Sequence, residues 1–140
     1  MPCIEVSLPK INQETRGALA AGLTEAFCSS TGHPAEIFGL RFFEYDPTAA
    51  ATGGKLCDSP GVSPYLHMLV YCPRLKRSIK QKVGAALTNA FTRATKQPEW
   101  LPVIHICEHP FDNIVVGGKL LTDAYEDCAK RSFYYELPKD

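Results

Sequence analysis

The second residue of this 140-residue chain is a proline, placed directly after Met1. Removal of Met1, which a small second residue permits, would give Pro2 a secondary amine at the start of the chain. An ordinary α-amino group titrates near about 7.7–8.0, and an apolar pocket with nearby cations lowers that pKa because it disfavours the charged form. A neutral Pro2 amine can abstract a proton next to a carbonyl group and return it elsewhere. A Pro2 that keeps its proton acts as an acid, which suits hydration, dehalogenation or decarboxylation.

Positive side chains are needed beside such an amine, because a developing enolate and a substrate carboxylate are both negatively charged. The sequence offers four candidates for substrate binding, namely Arg74, Arg41, Lys76 and His33. Arginine is the best suited, since its guanidinium holds a carboxylate with two parallel hydrogen bonds. Arg74 and Lys76 fall at a predicted strand-to-helix junction, where a solvated surface charge is the ordinary alternative.

A second group of candidate ligands, His105, Cys107 and His109, alternates along a predicted strand and therefore points to one side of it. These residue types bind zinc or copper. Three ligands on one strand do not converge on a tetrahedral site, so we predict neither a metal nor another cofactor.

The composition limits the partners of the chain. Lys and Arg together number 15, as do Asp and Glu, so the formal net charge is +0 and no basic face indicates nucleic-acid binding. No apolar run reaches the roughly 18–20 residues that span a bilayer, and the first residues lack a signal-peptide pattern. We expect a cytoplasmic protein that binds neither nucleic acid nor membrane. Its six cysteines are expected to be mostly reduced thiols that fill the core.

The chain repeats itself at a spacing of 64 positions, which superimposes residues 1–56 on residues 65–120 without a gap. A run of four residues, Gly53-Gly54-Lys55-Leu56, recurs whole as Gly117-Gly118-Lys119-Leu120. Other identical pairs include Val6/Val70, Pro9/Pro73, Leu23/Leu87, Phe27/Phe91, Thr31/Thr95, Pro34/Pro98 and Glu44/Glu108. The chain is therefore a duplicated unit of about 60 residues. Glu44 and Glu108 end their predicted strands, and we expect them to serve a turn or a subunit contact rather than acid–base catalysis.

Each unit reads as strand, helix, strand and Gly-Gly turn. The patterns predict strands over 3–8 and 37–43 around a helix that Asn12 caps and Gly32 ends. In the second unit they predict strands over 65–72 and 103–107 around a helix over 75–94. The inward positions of the two helices are Leu19, Leu23, Ala26 and Phe27, and Ile79, Val83, Leu87 and Phe91.

Two such units predict an α/β (α+β) fold, with a four-stranded mixed sheet and both helices on one face. We expect a single domain over 1–140, made of repeats 1–58 and 65–122 and a tail 123–140 that begins with a short helix over 123–132. The uncovered face of the sheet carries large apolar side chains, so we predict that the chain is oligomeric. The aromatic cluster of the tail, residues 133–137, is expected to pack on the body or on a neighbouring subunit.

The Met1-Pro2 start, the strand that follows it, the duplicated β-α-β unit and the Gly-Gly turns resemble the tautomerase superfamily. The duplication is similar to its double-unit branch, which includes macrophage migration inhibitory factor, malonate semialdehyde decarboxylase and cis-3-chloroacrylic acid dehalogenase. The single unit resembles 4-oxalocrotonate tautomerase. This resemblance covers about residues 2–120. It implies cofactor-independent catalysis by Pro2, a trimer, and a small carboxylate or keto acid as substrate.

Local matches place the four cations in that family's pattern. The stretch Thr31-Gly32-His33-Pro34 resembles Thr-Gly-Lys-Pro of the migration inhibitory factor group, which implies that His33 lines the substrate pocket. The stretch Tyr71-Cys72-Pro73-Arg74 resembles the segment that supplies two substrate-binding arginines in the decarboxylase and dehalogenase groups. Arg74 matches one of them, and Cys72 stands where the other would lie.

The remaining two cations match 4-oxalocrotonate tautomerase. By resemblance to that enzyme, the second strand would carry a substrate-binding arginine near Gly39. This chain has Arg41 two residues further on, which points to the same face of the strand. Lys76 corresponds to its arginine at the start of the helix, while Asn12 occupies that place in the first unit.

These features predict a keto–enol tautomerase, an isomerase that moves a proton on a small 2-oxo or 2-hydroxydienoate acid through Pro2. One alternative is a dehalogenase, hydratase or decarboxylase of a three-carbon acid that uses a protonated Pro2, which the cysteine at position 72 disfavours. Another is a binding or signalling protein with the same fold and no catalytic role for Pro2.

Overall fold

The computed structural model describes residues 2–129 of the chain. Met1 and residues 130–140 lie outside the described residues, as does the predicted aromatic cluster at 133–137. The predicted tail helix is represented by two short helices within the described part, α3 (Leu121–Ala124) and α4 (Glu126–Ala129).

The main elements follow the predicted order in both halves. The first half contains β1 (Cys3–Pro9), α1 (Gln13–Thr31), β2 (Gly39–Tyr45) and the hairpin strands β3 (Ala51–Thr52) and β4 (Lys55–Leu56). The second half contains β5 (His67–Cys72), α2 (Arg77–Thr95), β6 (Val103–Glu108) and the hairpin strands β7 (Val115–Val116) and β8 (Lys119–Leu120).

Four strands form one mixed sheet in the order β2-β1-β5-β6. Each unit contributes a parallel pair, β1 with β2 and β5 with β6, and the central pair β1 with β5 is antiparallel. The predicted mixed four-stranded sheet is confirmed. Because the central pair is antiparallel, equivalent parts of the two halves lie at opposite ends of the sheet.

The core lies between the sheet and the two helices. Alternate residues of β1 and β5 are buried, including Ile4, Val6, Met68 and Val70. They pack against the predicted inward residues of the helices, among which Leu23, Phe27, Leu87 and Phe91 have no exposed surface, while Ile79 is only partly buried. Both helices therefore cover one face of the sheet, as predicted.

The ends of α1 follow from its capping residues. The Asn12 side chain accepts a hydrogen bond from the Thr15 N–H over 2.8 Å, and Gly32 closes the helix with a left-handed φ of 79°. The second helix begins at Arg77, two residues after its predicted start, and its N-cap residue Lys76 makes no capping side-chain bond. The strand predicted from residue 37 begins at Gly39, because residues 35–37 form a turn of 3-10 helix after Pro34.

The Gly-Gly turns have the same conformation in both halves. Gly53 and Gly54 have φ angles of 59° and 78°, and Gly117 and Gly118 have φ angles of 60° and 79°. Two consecutive positive φ angles define the type I′ turn, in which glycine is strongly favoured. The repeat is thus preserved in the backbone as well as in the sequence.

Within residues 2–129, no element covers the second face of the sheet, which carries both polar and apolar side chains. The Arg41 guanidinium forms a salt bridge with Glu5, and the His67 and His105 rings form a hydrogen bond between Nε2 and Nδ1 over 2.6 Å. Phe43 and Val103 are exposed beside them. This face is less apolar than the sequence pattern predicted.

Among residues 2–129, no helix is long and apolar enough to cross a bilayer. All six cysteines are free thiols, but only Cys72 is fully buried. Cys28 packs against the core as well, but the other four are half-buried outside it, so the prediction that most of the cysteines fill the core is wrong.

Candidate active site

Pro2 lies buried at one end of the sheet. Less than 2% of its surface is exposed, and its carbonyl oxygen accepts a hydrogen bond from the Gly39 N–H over 3.1 Å. Side chains alternate along β1, so Pro2 points to the same side as the buried Ile4, toward the helices. The antiparallel register pairs Cys3 with Tyr71, which places Pro2 opposite Cys72.

Arg74 and Lys76 lie at the same end of the sheet. They follow Cys72, the last residue of β5, and precede α2. Because β5 runs antiparallel to β1, its carboxyl end adjoins the start of β1, where Pro2 lies. The register therefore brings two of the four predicted cations to the end of the sheet that holds Pro2, called the proline end below.

His33 reaches this end from the other unit. It follows Gly32 at the end of α1, and because α1 returns along β1, the helix ends near the start of that strand. The His33 ring contacts the Thr31 hydroxyl over 2.9 Å and lies against Phe27 with the ring centroids 5.7 Å apart. Phe38, immediately before β2, also stacks on Phe27, with the ring centroids 5.1 Å apart. These rings form an apolar wall at the proline end.

Arg41 does not join this group within one chain. It lies on the uncovered face, opposite to the side of the sheet that Pro2 faces. Its side chain is 71% exposed, pairs with Glu5, and lies 5.5 Å from the centroid of the Phe43 ring. The structure thus separates the predicted substrate-binding residues into three at the proline end and one on the sheet face.

Cys72 and His109, at the same end of the sheet as Pro2, are uncharged near neutral pH. Burial, followed by the nearby Glu108 carboxylate, raises the pKa of the Cys72 thiol to about 12. Burial also lowers the pKa of His109, whose N–H donates to the Cys72 carbonyl oxygen over 3.1 Å. Positive charge at this end therefore comes from the turn after β5 and from the start of α2.

The start of α2 carries more positive charge than the start of α1. Its N-cap is Lys76, its first residue is Arg77, and no acidic residue lies in its first turn. The first turn of α1, by contrast, contains Glu14 and is capped by Asn12. Cations at a helix N-terminus interact unfavourably with the helix dipole. Lys76 and Arg77 therefore lower the stability of the first turn of α2 while they place positive charge at this end.

Each strand-to-helix turn is held by a glutamate that binds a backbone N–H and a basic side chain, an arrangement called a clasp below. The sequence predicted only a turn or contact role for these glutamates, Glu44 and Glu108. Glu44 accepts from the Ile11 N–H over 2.8 Å and pairs with Arg16 at 2.9 Å. Glu108 accepts from the Leu75 N–H over 2.6 Å and pairs with Lys80. The three residues of one clasp match the three residues of the other at the repeat spacing of 64 positions. The repeat therefore indicates that the two sets of contacts are equivalent.

The three alternating ligand candidates are not gathered into a metal site. His105 pairs with His67 on the uncovered face, whereas His109 lies beyond the end of β6. Within the described part of the chain, no group of three or more His, Cys, Asp or Glu side chains is arranged to hold a metal ion. A groove of about 480 Å³ lies between α1 and α2, lined by small residues such as Gly22 and Ala90, and contains none of the candidate residues.

The duplicated β-α-β units, the sheet order and the two helices on one face together define a tautomerase-like fold. No protein-family model matches the chain, and no curated protein sequence matches it. Solved structures do match.

A fused 4-OT, described as an asymmetric trimer, has a TM-score of 0.76 and 23% identity over 87% of this chain and 98% of its own. FG41 malonate semialdehyde decarboxylase inhibited by 3-bromopropiolate has a TM-score of 0.71 and 18% identity over 87% and 95%. Macrophage migration inhibitory factor from Toxoplasma gondii has a TM-score of 0.69 and 17% identity over 84% and 97%. The chain has the fold of the tautomerase superfamily.

Proposed function

We propose that this protein is a cofactor-independent keto–enol tautomerase that uses the Pro2 amine after removal of Met1. One observation supports it most: Pro2 is buried at the end of the sheet where the cation-rich start of α2 lies. An apolar wall on one side and positive charges on the other both disfavour a protonated amine. Pro2 is thereby suited to act as a base near neutral pH.

The reaction moves one proton. The neutral Pro2 nitrogen takes a proton from the carbon next to the carbonyl of a 2-oxo acid, and the C–H electron pair forms the enolate while the carbonyl π electrons move to oxygen. Pro2 then returns its proton to the enolate oxygen, directly or through a water molecule, which leaves the enol and a neutral amine. The reverse sequence converts the enol to the keto acid.

Arg74, Lys76 and His33 are proposed to bind the substrate carboxylate and the developing enolate. Lys76 occupies the N-cap position that Asn12 holds in the first unit, where a cation stabilises the helix less than a capping side chain does. Retaining a cation there is explained by an anionic ligand. The N–H groups at the start of α2 add to the same attraction.

Chemistry by a protonated Pro2 is less well supported. The position that would hold a second arginine is occupied by Cys72, which is buried and stays neutral because burial raises its pKa to about 12. A three-carbon acid would therefore meet one arginine, Arg74, at this end. A direct titration of the Pro2 amine distinguishes the two chemistries, since a base requires a pKa near or below neutrality.

We also propose that three copies assemble through the uncovered sheet face. The matching fused 4-OT structures are described as trimers, in asymmetric and symmetric forms. On this face Phe43 and Val103 are exposed on the two edge strands, and Leu69 lies half-buried on β5. Arg41 lies on the same face, so it is a candidate for a site shared between copies rather than for the site of its own chain.

Six free thiols are typical of a reducing compartment, so we propose a cytoplasmic location. Fractionation of the source cells, with the protein followed by antibody, tests this location directly.

The decisive experiment compares wild-type protein with Pro2→Ala. Mass spectrometry first confirms that Met1 is absent, and ketonisation of enol-phenylpyruvate is then followed by absorbance. Pro2→Ala replaces the ring-fixed secondary amine with a freely rotating primary amine, so we expect kcat to fall by up to the factor of about 10² to 10⁴ that a general acid–base group contributes. An unchanged rate in Pro2→Ala would reject catalysis by Pro2, and a wild-type rate no faster than ketonisation in buffer alone would favour a non-catalytic binding protein.

Covalent labelling provides a second measurement. Pt0534, which has the same fold, is described as inactivated by 2-oxo-3-pentynoate. Addition of the Pro2 nitrogen across the triple bond of this compound forms one N–C bond, and the amine proton moves to carbon. We expect one adduct per chain on the N-terminal peptide, and slower labelling in Pro2→Ala, whose primary amine is not held in place by a ring.

A further inference from the structure

We propose that Glu108 is a positioning residue that fixes Arg74 and Lys76 for the substrate carboxylate. The inference rests on the proposed function, because it assigns a role at the same site. Glu108 does not face the substrate in this scheme; it acts through the turn that carries the two cations.

The hydrogen bonds of Glu108 define this role. One carboxylate oxygen accepts from the Leu75 N–H over 2.6 Å, and Leu75 stands between Arg74 and Lys76 in the chain. The other oxygen pairs with Lys80, one helical turn beyond Lys76. A single side chain on β6 therefore holds both the turn after β5 and the first turn of α2.

The contact is sheltered enough to hold a defined geometry. The Glu108 side chain is 21% exposed, that of Lys80 is 30% exposed, and Leu75 is buried. Hydrogen bonds to an ionised carboxylate are about twice as strong as neutral ones. Releasing the Leu75 N–H would thus free the backbone on which Arg74 and Lys76 are mounted.

The proximity of this clasp to the proline end has independent support. Cys72 lies opposite Pro2 and pairs directly with Glu108 in the β5–β6 register. Both charges of the clasp act on the Cys72 thiol, where Glu108 raises the pKa and Lys80 lowers it. The clasp is therefore one strand away from Pro2.

The first half provides a matched comparison within the same chain. Glu44 holds the Ile11 N–H and Arg16 in the same manner, but at the opposite end of the sheet. There Leu66 stands in the position equivalent to Pro2. A purely structural clasp would have the same consequence in both halves, whereas a positioning role is confined to Glu108.

The test uses Glu108→Ala with Glu44→Ala as its matched control. We expect both variants to lower the melting temperature, while only Glu108→Ala raises the KM for enol-phenylpyruvate, by about tenfold, with kcat changed less than about threefold. Glu108→Gln keeps an amide oxygen for the Leu75 N–H, so it is expected to restore most of the wild-type KM. Where Glu108→Ala does not fold, Glu108→Asp, one methylene shorter, replaces it.

A double-variant cycle tests whether Glu108 acts through Arg74. Adding Glu108→Ala to Arg74→Ala should raise KM by less than it does in the wild type. Full additivity, or equal KM values for Glu108→Ala and Glu44→Ala, would overturn the inference.

A binding measurement separates this inference from the proposed function. Calorimetric binding of phenylpyruvate is measured in the Pro2→Ala background, with and without Glu108→Ala. About tenfold weaker binding supports the role of Glu108, and unchanged binding rejects it, whatever Pro2→Ala does to catalysis.

Discussion

Pro2 and Leu66 occupy equivalent positions in the two halves of the chain but lie at opposite ends of the sheet. The Pro2 carbonyl oxygen accepts from the Gly39 N–H over 3.1 Å, and the Leu66 carbonyl oxygen accepts from the Val103 N–H over 3.0 Å. Both residues are buried. The same backbone position thus carries a candidate catalytic group in one half and an apolar core residue in the other.

This relationship predicts opposite effects for two alanine variants. Leu66→Ala should lower the free energy of unfolding by about 2–5 kcal/mol, because it removes a buried side chain, and should leave kcat per folded chain unchanged. Pro2→Ala should lower kcat with a smaller effect on stability. Urea denaturation and the ketonisation assay measure both quantities, and a loss of kcat in folded Leu66→Ala would contradict the assignment of one site per chain.

The state of the amino terminus should determine activity. In a chain that keeps Met1 the Pro2 nitrogen is part of an amide, which has no basic lone pair, so we expect its rate to be no higher than that of Pro2→Ala. Preparations with and without aminopeptidase treatment, each checked by mass spectrometry, provide the comparison. Equal activity in the two preparations would show that the Pro2 amine is not the base.

Lys76→Asn should stabilise the protein and weaken substrate binding. Asparagine at an N-cap accepts a backbone N–H, as Asn12 does in α1, so the variant should raise the free energy of unfolding by about 1 kcal/mol. It should also raise KM, because a cation is lost from the proline end. Asn12→Ala is the control, expected to cost about 1 kcal/mol with KM unchanged. A Lys76→Asn variant with wild-type KM would remove Lys76 from the site.

Acidification should destabilise the protein through two histidines. Burial, followed by the neighbouring His105, lowers the pKa of His67, and burial lowers the pKa of His109. The unfolded chain therefore binds more protons than the folded chain just below about pH 6.5, and stability falls as the pH falls through that range. Urea denaturation at several pH values measures the slope, which His67→Gln and His109→Gln should each reduce. A slope unaffected by either substitution would contradict this prediction.

Assembly through the uncovered sheet face predicts a sensitive position at its centre. Leu69 lies on β5, a central strand, and its side chain points to the uncovered face. Leu69→Glu places a charge in the proposed interface, so we expect it to shift the sedimentation coefficient from trimer to monomer. Glu25→Gln, on the outer side of α1, is the control. A trimer that persists in Leu69→Glu would exclude this face as the interface.

Much of the architecture could be predicted from the repeat. Because equivalent residues recur at a fixed spacing, each strand and helix was supported twice, and the buried positions of Leu23 and Leu87 followed from the same periodicity. The errors lie at element ends. Residues 35–37 turn before β2 begins, and Lys76 starts α2 without a cap, which local patterns do not reveal.

The site was less predictable, because the direction of each strand decides which residues lie at the same end of the sheet. Arg74 and Lys76 lie at the same end of the sheet as Pro2 only because β1 and β5 are antiparallel, and sequence spacing does not contain that information. Alternation along β2 correctly placed Arg41 on the face of Gly39, but it did not reveal that Pro2 faces the other side of the sheet.

The duplication described here has a chemical limit. A copy of Pro2 placed inside the chain would have its nitrogen in a peptide bond, with no lone pair to accept a proton. Duplication could therefore double the scaffold but not the proposed base, and at the other end of the sheet the equivalent position holds the buried Leu66.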